Sequence, residues 1–299
     1  MRVKSAATRF GLGCALATPV GSGGGVDSAR LLAHARSCLA AGCDSLTIFG
    51  TTGEGASFGE RDREAVLSAF AGGGIDPRRV SGGVLAASIE DAVSRARVSL
   101  EANCRAVLMT PPFYFRDVSD EGLYAWFAAV FDKLGAQARD VILYHIPSVT
   151  QIALSVELID RLRKQFPDVI LGVKDSSGDW TYTKRLLAAH RDLIILAGDE
   201  RHLAAAMRLG AQGCISGFAN IGADWMLPLV REGRDVTRVN RIVDEILKYP
   251  FIPAVKALIA HCTGDRGWQA VRPPLAPLGA ALAGHLTAAY DVLRAAEAV

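Results

Sequence analysis

Short apolar runs that recur along the chain constrain its fold more than any other feature of the sequence. Eight of them occur in the first three quarters of the chain, and each is closed by glycine, proline or a small polar residue. They do not alternate cleanly with polar residues, which is typical of strands buried on both faces. The runs are GLGCALATP (11–19), DSLTIFG (44–50), RVSGGVLA (79–86), AVLMTPP (106–112), VILYHIP (141–147), VILGVKDS (169–176), LIILAGD (193–199) and GCISG (213–217).

Segments with helical spacing separate these runs. In residues 27–42 the apolar positions fall on one face, and Asp27 or Ser28 is suited to cap the N-terminus. A second helix is expected to start at Ser119 and a third at Ser155. Eight strands that alternate with helices predict an α/β protein with the architecture of a (β/α)8 TIM barrel.

A doubly wound parallel sheet is the alternative architecture for such an alternation. That fold usually carries a glycine-rich dinucleotide loop, but GSGGG at 21–25 lacks the GxGxxG spacing and does not open a helix directly. The sequence also contains no GxxxxGK[ST] motif. The barrel is therefore the preferred prediction.

The strand pattern ends at about residue 225. The segments 225–233, 235–248, 252–263 and 277–298 are predicted to be helices, interrupted by prolines and glycines. We expect a barrel over residues 1–224 and a helical C-terminal region over residues 225–299 that packs on it.

Composition narrows the functional classes. The chain has 299 residues, is 50% hydrophobic and has a formal charge of +2, with no block of basic residues, so neither a nucleic-acid nor an anionic membrane surface is indicated. No apolar run reaches the ~20 residues of a membrane helix. A basic N-terminus before an uncharged stretch faintly resembles a signal peptide, but a first strand and its loop explain it better.

The six cysteines are scattered among apolar neighbours without zinc spacing. They are expected to be reduced thiols of a cytoplasmic protein. No metal and no cofactor is predicted.

Catalytic residues of a TIM barrel lie at the carboxyl ends of its strands. The sixth run ends in Lys174, which shares one side of the pleat with Gly172, a residue whose small size would leave room for the lysine side chain. A desolvated, neutral amine could form a Schiff base with a ketone. The structural alternative is an ion pair with Asp175 or Asp199.

Two other strand ends offer polar groups. Tyr144 could point to the same barrel mouth and transfer a proton, whereas His145 points to the opposite face and is expected to be a buried histidine with its hydrogen bonds satisfied. In FGTTGEG (49–55), two threonines and their backbone N–H groups, flanked by glycines, suit a carboxylate or oxyanion. Glu54 and Glu60 could belong to the first turn of the following helix.

The segments FGTTGEG, LYHIPSVT and GVKDSSG, in this order, resemble the three signature segments of the dihydrodipicolinate synthase / N-acetylneuraminate lyase family. GCISGFAN and VRPPLAPL resemble further segments, so the resemblance covers nearly the whole chain. It implies a (β/α)8 barrel, usually assembled as a homotetramer from dimers, that binds pyruvate or a 2-oxo acid as an imine and needs no metal.

The resemblance also implies residue roles. Lys174 would form the imine, Tyr144 would act as the acid/base, and Thr51 would help relay protons to it. Substrate-binding positions would be Thr52, Gly53, Ile215 and Tyr114, the last by reaching across a dimer interface.

One departure bears on the substrate. Synthases of this family carry an arginine after the tyrosine that holds the second substrate's carboxylate, but the fifth residue after Tyr144 is Val149, followed by Thr150 and Gln151. A valine cannot hold a carboxylate bidentately. We expect an aldolase that joins pyruvate to an aldehyde or cleaves a 2-oxo-3-deoxy acid. The alternatives are a dehydratase of a 2-oxo-3-deoxy sugar acid, a true 4-hydroxy-tetrahydrodipicolinate synthase, a 2-oxo-acid sensor, and a barrel in which Lys174 contacts phosphate.

Overall fold

The structure is a computed structural model and describes residues 9–296. Eight parallel strands pair in sequence order, and the eighth closes on the first, so the barrel prediction is confirmed and the open doubly wound sheet is excluded. The strands are β1 (Gly11–Ala15), β2 (Ser45–Ile48), β3 (Val80–Val84), β4 (Ala106–Met109), β5 (Val141–His145), β6 (Ile170–Asp175), β7 (Ile194–Ala197) and β8 (Gly213–Ser216).

Helices follow the strands and cover the outside of the barrel. They are α1 (Ser28–Ala40), α2 (Glu60–Gly72), α3 (Ile89–Glu101), α4 (Asp120–Leu134), α5 (Pro147–Thr150), α6 (Val156–Gln165), α7 (Trp180–Ala189), α8 (Glu200–Arg208), α9 (Ala219–Glu232), α10 (Thr237–Ile246), α11 (Phe251–Thr263) and α12 (Ala280–Ala295). None of the helices within residues 9–296 is long and apolar enough to span a membrane.

The helix starts follow the sequence. The side chains of Asp27, Ser119 and Ser155 each accept a hydrogen bond from a backbone N–H in the first turn of α1, α4 and α6, as predicted. Such caps satisfy backbone donors that have no partner within the helix. They fix where each helix begins after its strand.

The barrel separates two apolar layers. A small cluster inside the barrel consists of Phe10, Ala15, Ala106, Leu108, Ile142, Tyr144, Ile146, Leu196 and Ile215. A much larger cluster joins the outer faces of the strands to the helices. Side chains of one strand alternate between these layers, which places Tyr144 inside and its neighbour His145 outside.

The C-terminal region is helical, as predicted, but its first helix begins earlier than the predicted residue 225. Helix α9 starts at Ala219, directly after β8, and bends at Gly222, whose backbone (φ −138°, ψ 35°) is not helical. The predicted boundary between residues 224 and 225 thus lies within α9, and the division into two segments stays a prediction. Residues 1–8 and 297–299, which belong to those segments, lie outside the described residues.

Candidate active site

The carboxyl ends of β2, β5, β6 and β8 surround a cavity of about 490 Å³. Five of the predicted site residues line it: Thr51, Thr52, Tyr144, Lys174 and Ile215. A cavity of this size at the carboxyl end of a TIM barrel is where a small-molecule site is expected. The three predicted catalytic side chains therefore lie in one place.

Lys174 is buried at the floor of this cavity, with 5% of its surface exposed. It lies opposite Tyr144 in the β5–β6 register, and its Nζ donates a hydrogen bond to Tyr144 OH at 3.3 Å. Both predicted ion-pair partners are engaged elsewhere, since Asp175 binds His145 and Thr183, and Asp199 binds Arg201. The amine is thus held by a phenol rather than by a carboxylate.

The structure explains the glycine at position 172 by a contact other than the predicted one. A Cβ built there would lie 2.1 Å from the backbone oxygen of Ile194 on β7. The glycine permits the close approach of β6 to β7. This approach alone accounts for the glycine, without the predicted need for space beside the lysine side chain.

Tyr144 links the lysine to the turn after β2. Its hydroxyl lies 3.2 Å from Thr51 Oγ1 as well as 3.3 Å from Lys174 Nζ, and its side chain is almost completely buried. Hydroxyl groups can both donate and accept. The chain Thr51–Tyr144–Lys174 can therefore pass a proton between the amine and a group bound in the cavity.

The turn that carries Thr51 is held tightly against the neighbouring backbone. Phe49 and Glu54 both have positive φ angles, 55° and 53°. A Cβ at Gly55 would lie 1.7 Å from the carbonyl oxygen of Phe49, so no larger residue fits. Gly53 does not line the cavity, because its Cα faces the backbone of Leu16 and its carbonyl accepts a hydrogen bond from Thr18.

Glu54 was not recognised from the sequence as part of the site's support. Helix α2 begins at Glu60, which does lie in its first turn, whereas Glu54 precedes the helix and is buried. Its Oε1 lies 2.5 Å from Lys256 Nζ on α11, and its Oε2 accepts from the backbone N–H of Arg272 at 2.8 Å. The expectation of a first-turn role for Glu54 is therefore wrong.

His145 lies on the far side of β5 from the cavity, as predicted, but its buried Nε2 has no hydrogen-bond partner among the described residues, so the expectation that its hydrogen bonds are satisfied is wrong for that atom. Its Nδ1 is 3.2 Å from Asp175 Oδ1, and its ring packs on Tyr182 with centroids 4.2 Å apart. Asp175 also accepts from Thr183 Oγ1 and Ser177 N–H, which ties the loop after β6 to α7. Burial opposes ionisation of Asp175, but these hydrogen bonds hold the pKa of its carboxyl below the ordinary value.

Tyr114 lies in the loop after β4 and does not line the cavity. Its side chain is 75% exposed and packs edge to face with the exposed ring of Phe115, at a centroid distance of 5.3 Å. Within one chain it lies outside the lining of the cavity that contains Lys174. A role for Tyr114 in binding substrate requires a second subunit.

The rim of the cavity contains polar groups of which the sequence had singled out only Asp199, as a possible ion-pair partner of Lys174. They come from the segments that follow β5, β6 and β7, including the starts of α5 and α8, and they are Ser148, Ser176, Ser177, Asp199, Glu200 and Arg201. Burial raises the pKa of Glu200, although Ser216 donates a hydrogen bond to its carboxylate. The run LAGDE at 196–200 was a signal for these residues, because it places two acids directly after a strand.

Val149 is the residue that occupies the predicted arginine position. It lies on α5, is 57% exposed and lines the cavity. An arginine at this position would therefore lie at the rim of the cavity, where the chain has an apolar side chain instead.

Comparison with known proteins adds to this geometry. The model of the dihydrodipicolinate synthetase family matches residues 9–290. An uncharacterized DapA-like lyase from Chloroflexus aurantiacus is 32% identical over 295 residues, covering 95% of this chain and 97% of that protein.

Solved structures agree with these matches. The crystal structure of dihydrodipicolinate synthase from Agrobacterium tumefaciens superposes with a TM-score of 0.93 and 51% identity, covering 95% of this chain and 99% of that one. A variant of 2-keto-3-deoxygluconate aldolase from Sulfolobus solfataricus is 18% identical with a TM-score of 0.83 over 95% and 96% of the two chains, and shares the fold. The chain belongs to the dihydrodipicolinate synthetase family, and it is a lyase of the kind that the sequence resemblance predicted.

Proposed function

We propose that this lyase binds pyruvate, or a 2-oxo acid that yields pyruvate, as an imine on Lys174. The observation that carries the proposal is the position of Lys174 Nζ, which lies at the floor of the cavity within 3.3 Å of Tyr144 OH. A lysine that has lost its proton attacks the 2-oxo carbon, and water leaves as the imine forms. Tyr144 is placed to supply and recover the protons of these steps.

The carboxylate of pyruvate would bind to the turn that contains Thr51 and Thr52. The turn lies beside the phenol, and hydroxyl and backbone N–H groups are suitable donors for a carboxylate. Ile215, a neighbour in the same cavity, would contact the pyruvyl methyl group. Gly53 would act by shaping the turn, since its Cα faces away from the cavity.

The imine makes carbon–carbon bond cleavage possible because it accepts the electron pair of the breaking C3–C4 bond. Cleavage converts the imine to an enamine and the C4 hydroxyl to an aldehyde, with the hydroxyl proton passing to Tyr144. Protonation at C3 and hydrolysis by water then release pyruvate and free Lys174. Condensation follows the same steps in reverse.

The test uses pyruvate and sodium borohydride on the purified protein. Borohydride reduces an imine to a stable secondary amine, so intact mass and peptide mapping should place a pyruvyl adduct on the peptide that contains Lys174. The Lys174→Ala variant should show no adduct. A folded wild-type protein that forms none between about pH 7 and pH 9 contradicts the proposal and favours the 2-oxo-acid sensor or the phosphate-binding barrel.

A dehydratase with the same imine is the second candidate, and Glu200 favours it. Its carboxyl lines the cavity, and burial raises its pKa, so it stays protonated up to a higher pH than an ordinary glutamate. A protonated carboxyl can donate its proton to the hydroxyl that a dehydratase expels. Product analysis separates the two, because an aldolase releases pyruvate and an aldehyde, whereas a dehydratase releases water and a dehydrated 2-oxo acid. A true synthase would instead consume aspartate semialdehyde.

We also propose a homotetramer assembled from dimers, with the loop after β4 at a subunit interface. The side chains of Tyr114 and Phe115 are 75% and 70% exposed, and adjacent exposed aromatic rings often mark interaction sites. Light scattering should give a mass four times that of the 31.7 kDa chain. A double variant with Tyr114→Asp and Phe115→Ser should have a lower mass, because the interface is disrupted. A monomeric wild type contradicts this assembly.

A cytoplasmic location is proposed because the six cysteines are unpaired, as thiols in a reducing compartment are.

A further inference from the structure

The part of the cavity above Lys174 has two chemically different walls. One wall comes from the segments that follow β5, β6 and β7 and is mostly polar, with Ile146 and Val149 as its apolar members. A second wall comes from α10, α11 and the segment before α12, and it meets the first where Arg201 binds Asp244. Its lining side chains are apolar: Val243, Ile246, Leu247, Phe251, Ile252 and Leu275. A group attached to the carbon that reacts with pyruvate would therefore contact these lining residues.

The positive charge at the rim is already neutralised. Of the described residues that line the cavity, Lys174 and Arg201 carry the cationic side chains. Arg201 places Nε and Nη2 on the carboxylate of Asp199, at 2.9 and 2.6 Å, and Nη1 on Asp244 at 2.9 Å. These two carboxylates already balance its charge and use three of its five N–H donors, so it is a poor ligand for a further carboxylate.

Asp199 opposes a further negative charge at the rim. The Arg201 guanidinium, through hydrogen bonds to its carboxylate, keeps the pKa of Asp199 low despite partial burial, so Asp199 is ionised. Glu200 adjoins it and lines the same cavity. A substrate carboxylate placed here would meet the negative charge of Asp199 and would lose hydration without gaining a cation.

The apolar wall reaches from the floor to the rim. At the floor, a Cβ built on Gly217 would lie 2.7 Å from Cζ of Phe251 and 2.9 Å from Thr52 Oγ1, so the phenyl ring adjoins the turn proposed to hold pyruvate. At the rim, Leu247 is 50% exposed. A chain that extends outward from the reacting carbon can therefore replace water along this wall.

From these contacts we infer that the partner of pyruvate is an uncharged aldehyde with an alkyl or aryl chain, and not an aldehyde that carries a carboxylate. The inference rests on the proposed imine at Lys174. In condensation, C3 of the enamine bonds to the aldehyde carbon, and the aldehyde oxygen takes up a proton to become the C4 hydroxyl. Water hydrolyses the imine, and the product is a 4-hydroxy-2-oxo acid with an apolar group on C4.

The test compares pentanal with succinic semialdehyde, which has a similar length but ends in a carboxylate, and with glyceraldehyde, which is uncharged but polar. Each is incubated with pyruvate and the wild-type protein, and the product is measured by mass spectrometry. We expect kcat/KM for pentanal to exceed the other two values at least about 10-fold. Leu247→Ser should lower the pentanal value by about 3- to 10-fold, since it removes apolar contacts at the rim.

Leu282→Ser is the matched control, because Leu282 is similarly exposed (46%) but lies on α12 away from the cavity lining. It should leave all three values unchanged. Succinic semialdehyde or glyceraldehyde reacting as well as pentanal overturns the inference. The inference also fails if Leu247→Ser leaves the pentanal value unchanged, as Leu282→Ser should. It fails as well if none of the three aldehydes gives an aldol product.

The pyruvate adduct is measured in the same preparations without aldehyde. If the adduct forms and no aldehyde reacts, the inference fails while the imine stands. If no adduct forms, the proposed function fails and the inference fails with it.

Discussion

Glu54 and Lys256 form a buried ion pair that joins the turn after β2 to helix α11. Glu54 Oε1 lies 2.5 Å from Lys256 Nζ, and neither side chain is exposed. The ammonium also donates to the backbone oxygen of Thr18, and the carboxylate also accepts from the Arg272 N–H. The turn that carries Thr51 and Thr52 is thus fixed to the C-terminal helices.

Removing one partner of this pair should destabilise the protein strongly. Either Glu54→Gln or Lys256→Met leaves polar or charged atoms buried without their partner, and we expect a loss of about 3 kcal/mol in the free energy of unfolding. The double variant should lose less than the sum of the two, because no unpaired charge remains. Urea denaturation of all four proteins measures this coupling.

The same variants separate a positioning role from a purely structural one. If the pair positions Thr51 and Thr52, Glu54→Gln should raise the KM for pyruvate at temperatures where the variant is fully folded. An unchanged KM would assign the pair to stability alone. Lys164→Gln, a change at an exposed ion pair with Asp160, is a control that should affect neither quantity.

Proton transfer through Tyr144 and Thr51 should be separable from imine formation. Tyr144→Phe keeps the Lys174 amine, so borohydride should still trap pyruvate on it. Turnover should fall about 10²- to 10⁴-fold because the acid/base group is lost. The borohydride adduct and the steady-state turnover of Tyr144→Phe are measured in one preparation and compared with those of the wild type.

Thr51 offers a matched pair of substitutions for the same relay. Thr51→Val removes the hydroxyl at nearly constant shape, whereas Thr51→Ser retains it. Only the valine variant should lose turnover, by about 10-fold or more. Equal losses in both variants would mean that Thr51 contributes shape and not a proton path.

Much of the site follows from the sequence because it rests on local periodicity. Alternation along β5 and β6 places Tyr144 and Lys174 on the inner face, and the structure pairs them in register. Glu54 escaped recognition because its partner Lys256 is 202 residues away and its left-handed backbone has no local signal. The first apolar run also extends past the strand, since residues 16–19 leave the sheet while remaining buried.

The carboxylate of Asp175 should make stability depend on acidic pH. Its pKa is lower in the folded protein than in the unfolded chain, so the folded state binds fewer protons. Its stabilisation is therefore present above the unfolded value of about 3.9 and lost as the pH falls through the folded pKa. Asp175→Asn should cost about 2 kcal/mol at about pH 7, and this cost should shrink below about pH 4.

Urea denaturation at several pH values measures the difference between Asp175→Asn and the wild type. Asp192→Asn is the control, because Asp192 also has a lowered pKa through Arg163 but lies at the surface, where solvent screens the pair. It should cost less than about 1 kcal/mol at every pH. A cost for Asp175→Asn that does not change with pH would show that the lost contacts, and not its charge, stabilise the fold.

Val149 offers a direct test of what limits the choice of aldehyde. The residue is 57% exposed on α5 and lines the cavity, so Val149→Arg should change stability by less than about 0.5 kcal/mol. Asp199 and Asp244 already bind Arg201, so we expect a guanidinium introduced at position 149 to stay available to a substrate. We expect kcat/KM for succinic semialdehyde to rise about 10-fold, because a free guanidinium can bind the carboxylate bidentately, with no gain for pentanal. Val149→Gln supplies a long polar side chain without charge, and an equal rise in that variant would show that the charge is not what the wild-type rim lacks.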